Sequence, residues 1–165
     1  MAGNNNKAWV MSVILGILGV IVSSGIYIYI AWTTERIFGI VALLCGLIGG
    51  GAAGLGYRLG RGEITSADSA KKFLAVTTLF GFLGVAGAYI GPYLIFGSMG
   101  LPFSAYMELI EFDIMDVIFI VFGTLAGRGA GKSIGRTIMV RGAINKHLAQ
   151  ASVAAMDKSA KKGKK

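Results

Sequence analysis

Long uncharged runs separated by short clusters of charge set the pattern of this chain. Trp9 to Trp32 contains no charged residue and carries a tryptophan at each end, where amphipathic rings favour the headgroup region of a bilayer. A second run, Ile37 to Tyr57, is closed by Arg58 and Arg61. A third begins at Phe73 after Lys71 and Lys72 and reaches about Phe96, with Pro92 near its far end. Each is long enough for the roughly 20 helical residues that cross a hydrocarbon core of ~30 Å, so transmembrane helices are predicted over 9–32, 37–57 and 73–96. The fourth run is less regular. Its uncharged part, Val117 to Gly127, makes only roughly 16 Å of helix at ~1.5 Å per residue, so a span over about 112–131 must hold charge at membrane depth.

Composition agrees with a bilayer as solvent. Of 165 residues, 55% are hydrophobic, 15% are charged and 26 are glycine, with a mean hydropathy of +0.70, far from the balance of a soluble domain. The expected fold is therefore all-α, an integral membrane four-helix bundle over residues 1–136. An amphipathic cytoplasmic helix follows over 137–157, where Val140, Ile144, Leu148, Ala151 and Ala155 recur at helical spacing while Arg141, Lys146 and Gln150 occupy other faces. A disordered basic tail is expected over 158–165. The first run is longer than a signal-peptide core and no small-residue cleavage site follows it, so it is read as a retained span.

Charge sets the expected direction. The formal net charge is +8, concentrated after residue 128, which points to membrane sidedness rather than to nucleic acid. Lys7, then Arg58, Arg61, Lys71 and Lys72, then the basic C-terminal segment fall on one side; Glu35, Glu108, Glu111, Asp113 and Asp116 fall on the other, with Arg36 the exception. By the positive-inside rule both termini are cytoplasmic, in what is expected to be a prokaryotic cytoplasmic membrane. The single cysteine, Cys45, sits in an apolar run, so one chain can build neither a disulfide framework nor a thiolate metal cluster.

The second half of the chain echoes the first. Leu15-Gly-Ile-Leu-Gly-Val20 recurs as Phe80-Gly-Phe-Leu-Gly-Val85, and Gly46, Gly50 and Gly54 recur as Gly123, Gly127 and Gly131. The repeated unit is a helical hairpin. Both copies start on the same side, which predicts a parallel repeat about a pseudo-two-fold axis along the membrane normal, with a longer outer loop in the second copy. Glycines four apart share one helix face and let backbones approach closely, so spans two and four are expected to pack tightly, within one subunit or between subunits. A glycine-lined pore is the other use of such a stripe.

Few residues carry chemistry. Asp116 shares the face of Gly123 and Gly127, with Asp113 one turn further out; within a span, these would form a cation or proton site. The plainer reading has span four begin deeper, leaving both aspartates at a helix N-terminus, where carboxylates are favoured. Together with Glu35, Glu108 and Glu111 they form either an acidic vestibule or a solvated rim, and the spacing is no metal signature. Ala126 to Ser133 fits a relaxed phosphate-loop pattern, but such a loop needs a parallel sheet, which this hydropathy excludes. Arg128, Lys132 and Arg136, spaced by four, fit a basic stripe meeting anionic lipid headgroups. His147 reads as a surface residue, and Thr77 and Thr78 as hydroxyls bonded to backbone or to neighbouring helices. No set of nucleophile, base and orienting group is visible, so neither catalysis nor a cofactor is expected.

Ile30-Ala-Trp32, followed by the run from Gly39 through Gly54 to Tyr57-Arg58, resembles small bacterial membrane proteins of unassigned function, which often carry a Gly-rich second span ending in Gly-x-x-x-Arg. The resemblance covers about 50 residues and implies no activity or ligand. The four-span, glycine-zipper plan is also similar to mitochondrial preprotein translocase subunits, but their longer arginine and aspartate signature has no match here. The functional expectation is a non-enzymatic scaffold or accessory subunit, packing through glycine faces into a homo-oligomer or a larger membrane complex. The alternative is a small cation or proton channel or transporter with a path near Asp113 and Asp116.

Overall fold

A computed structural model describes residues 5–34, 39–100, 102–109 and 113–162. Five α-helices account for nearly all of it: α1 (Asn5–Thr34), α2 (Gly39–Leu59), α3 (Ala67–Ser98), α4 (Phe103–Leu109) and α5 (Ile114–Lys162). Four of them, over Asn5–Thr34, Gly39–Leu59, Ala67–Ile95 and Ile114–Ile144, are long and apolar enough to cross a membrane. By length and composition this is a multi-pass helical membrane protein. Side chains such as Val10, Ile21, Tyr29, Leu94 and Phe122 stand exposed on the outer faces, as expected where lipid is the solvent.

Local chemistry explains the helix ends. Ser66 and Ser69 cap α3 reciprocally, each hydroxyl accepting from the other's backbone N–H at 3.1 Å, a capping box with serine in place of glutamate. At the end of α2 the N–H of Gly62 reaches the carbonyl of Tyr57 and that of Arg61 reaches Arg58. This is a Schellman ending in which Arg61, at φ 58°, holds the left-handed position usually given to glycine. Gly62 is required there for another reason: its Cα lies beneath the Tyr57 ring, and a Cβ would meet that ring at 2.5 Å or less.

Packing follows from the glycines. A Cβ on Gly50 would lie 2.5 Å from the Cα of Gly127, and one on Gly127 would lie 2.6 Å from the Cα of Gly81 and from the carbonyl oxygen of Gly46. Gly46 is set against Gly123 in the same way, and Gly54 against Ile134 and Gly131. The glycine faces of α2 and α5 thus meet within one chain. Adjoining faces of α2 take α1 and α3, with Gly49 against the Phe80 backbone and Gly56 against Met11 and Ser12.

The contacts do not follow the expected two-fold axis. Exchange of the α1–α2 and α3–α5 hairpins by such an axis would make an α1–α5 contact equivalent to the α2–α3 contact. Among the described residues α2 and α3 touch, whereas α1 and α5 do not. α1 also lies beside α3 and α2 beside α5, which leaves α2 and α3 at the centre. The helix limits also differ from the spans read in the sequence. α3 begins at Ala67, a short helix α4 occupies part of the outer loop, and α5 runs unbroken past residues 136 and 158 to Lys162. Met139, Val140, Ile144 and Leu148 of that extension are exposed.

Candidate functional site

The end of the packed helices where α3 finishes and α5 begins gathers Tyr89, Tyr106, Asp113 and Asp116. Asp113 is exposed and is the N-cap of α5: its Oδ1 accepts from the N–H of Met115 at 2.7 Å and of Asp116 at 3.2 Å. Asp116 returns the bond, its Oδ2 accepting from the N–H of Asp113 at 3.1 Å. The pair is a capping box at a positive helix end. Of the two aspartates read as a cation site, Asp113 therefore serves the helix terminus, whereas half-buried Asp116 turns inward and its Oδ1 accepts the Tyr89 hydroxyl of α3 at 2.6 Å.

Tyr106 of α4 completes this end. It is 2% exposed and donates to the carbonyl of Tyr89 at 2.5 Å, next to the Ala88 carbonyl that Pro92, lacking an N–H, leaves without its intrahelical donor. Burial pushes the Tyr106 hydroxyl up to about 12, so it acts as a neutral donor. Its ring and that of Phe103 pack on Tyr93, with centroids 5.4 and 5.1 Å away. Nothing in the sequence pattern marks Tyr89 or Tyr106, because single tyrosines near a membrane surface are usual. Tyr27 of α1 is 1% exposed and packs in the cluster that holds Ala42 and Cys45 of α2 with Ala88 and Tyr89 of α3.

Other expected site residues fall elsewhere. Glu108 is exposed on α4; Glu35, Arg36 and Glu111 lie outside the described residues, so the acidic rim is only partly defined. Among the described residues no cluster of three or more histidine, cysteine or acidic side chains could hold a metal ion. Ala126 to Ser133 is interior to α5, where backbone N–H groups are spent on the helix rather than offered to phosphate. Arg128, Lys132 and Arg136 are all exposed on α5. Ile138 packs with Ala8, Tyr57 and Phe73, and the Arg128 backbone lies roughly 15 Å along α5 from that level at ~1.5 Å per residue.

Polar groups elsewhere in the interior tie helices together. Ser12 of α1 donates to the carbonyl of Ala53 in α2 at 2.8 Å, and the Cys45 thiol of α2 donates to the carbonyl of Ser23 in α1 at 3.4 Å. Thr77 and Thr78 bond back to the Leu74 carbonyl of their own helix. No family model matches the chain, and no curated protein or solved structure matches it either.

Proposed function

We propose that this protein is a non-enzymatic membrane scaffold or accessory subunit that joins a larger membrane complex or assembles with itself. The observation that carries this reading is the use of the chain's polar and small residues: the glycine seam between α2 and α5, and the Ser12 and Cys45 bonds between α1 and α2, all hold helices to one another. The seam is occupied within the chain, so association falls to the outer faces and to α5, whose extension past Ile138 exposes Met139, Val140, Ile144 and Leu148. The exposed cations Arg128, Lys132 and Arg136 supply an attraction for anionic lipid on the inner leaflet.

Purification of the full chain in a mild detergent, followed by native mass measurement, tests both parts. Protein subunits above the monomer mass are expected, together with bound anionic phospholipid that is lost when Arg128, Lys132 and Arg136 are changed to glutamine. A bare monomer would count decisively against assembly.

The proposed sidedness places both termini in the cytoplasm and α4 outside, in keeping with the Lys and Arg distribution. In a Cys45→Ala background, Ser104→Cys should react with an impermeant thiol reagent in intact cells, and Thr65→Cys only after lysis. The reverse order would invert the topology.

A further inference from the structure

α5 is longer than a bilayer is thick. Its 49 residues make roughly 73 Å of helix at ~1.5 Å per residue, against a hydrocarbon core of ~30 Å, so roughly half of it or more lies outside the hydrocarbon. Packing shows which half. Ile138 is held in a core with Ala8, Tyr57 and Phe73 from the other three long helices, whereas Met139 to Ile144, His147, Leu148 and Gln150 are all exposed. Val140, Ile144 and Leu148 recur every four residues and share one side of the helix, while Arg141 and Gln150 fall on others. From Met139 onward the sequence carries Arg141, Lys146 and five lysines from Lys158 on, against Asp157 alone, a net charge of +6.

We propose that the extension of α5 docks on an anionic lipid leaflet, with the stripe of Ile144 and Leu148 among the acyl chains and the surrounding cations at the phosphates. Charge and tethering select this occupant. A second copy of the extension would bring +6 against +6, so the complementary surface is anionic. The span that precedes it holds the extension at the bilayer, where the lipid surface is always within reach and an acidic protein must first be recruited. An apolar stripe flanked by cations fits the boundary between headgroups and acyl chains. A straight α5 would carry Leu148 roughly 15 Å beyond Ile138 at ~1.5 Å per residue, and Gly142, between them, is where the helix can bend towards the surface. A Cβ added there meets nothing within 4 Å, so packing does not require glycine, the poorest helix former after proline. The proposal rests on reading the chain as a membrane protein with a basic side, and not on its assembly.

The test places single full-length chains in nanodiscs of phosphatidylcholine, alone or mixed with phosphatidylglycerol. In a Cys45→Ala background, an environment-sensitive dye is attached to Leu148→Cys or to Gln150→Cys, two residues apart and so on nearly opposite sides of the helix. In anionic discs the dye at 148 should emit to the blue and be quenched by brominated acyl chains, while the dye at 150 stays in water; in neutral discs, or at high salt, both should stay in water. Arg141→Gln should lower the ratio of docked to free extension about fivefold, the factor equivalent to the ~1 kcal/mol of one juxtamembrane cation. A dye at 148 that stays in water in anionic discs, equal quenching at both positions, or equal quenching in neutral discs would overturn the proposal. So would a shift that appears only when several chains share a disc, which would assign the stripe to a second copy. A monomeric native mass would remove the assembly reading and leave these results unchanged.

Discussion

Gly50→Leu and Gly127→Leu should each abolish recovery of folded, monodisperse protein, while Gly129→Leu should be recovered at near the wild-type level. Even the first added carbon at Gly50 or Gly127 lands 2.5 to 2.6 Å from backbone atoms of Gly127, Gly46 or Gly81, and backbone within a packed helix cannot swing aside as a side-chain tip can. Overpacking by a few methylenes in a tight core costs about 1–3 kcal/mol; a whole leucine on this seam would force α2 and α5 apart along their length. Gly129 is the matched control, being on the same helix with nothing within 4 Å of its added Cβ. Size-exclusion profiles and thermal melts of the three variants in one detergent decide the matter. Equal recovery and equal Tm would remove the seam as a source of stability.

Tyr57→Ala should be the most damaging single truncation at the inner end, at about 3–5 kcal/mol for loss of a large buried ring. Tyr57 is fully buried. Its ring meets Trp9 of α1 at 4.7 Å and Phe73 of α3 at 5.1 Å, and it shares a core with Ala8 of α1 and Ile138 of α5, so one side chain from α2 reaches the other three long helices. Its hydroxyl donates to the carbonyl of Glu63 at 3.0 Å, and the N–H of Glu63 in turn reaches the Asn5 side chain. Tyr57→Phe keeps the ring and loses only that bond, so about 0.5–1.5 kcal/mol is expected. The pair separates packing from hydrogen bonding: a Tyr57→Phe loss as large as that of Tyr57→Ala would mean that the loop bond, not the ring, anchors this end.

Four long helices were legible in the sequence because a bilayer acts on each residue in turn. Any helix that crosses it must be apolar for about 20 residues, and that requirement is written along the chain. The small-residue faces were legible for a similar reason: spacing by four fixes which glycines share a side. Their partner was not. A stripe reads the same whether it meets a second chain or another helix of its own, and only the contact of Gly50 with Gly127 places it within the chain.

The repeat was visible as a pattern, yet the arrangement of its two copies depended on which helices touch, and the α2–α3 contact replaced the expected symmetry. The shortness of the fourth uncharged run predicted a charge within the span, but only the start of α5 at Ile114 sets Asp113 at the cap rather than inside the helix. Tyr27 gave no signal at all. A lone tyrosine in an apolar run can face lipid or core with equal ease, and its burial follows only from the way α1 lies against α2 and α3. What each segment must be is settled locally, by the solvent around it. What each face meets is settled by pairs of helices far apart in the chain, which no single period encodes.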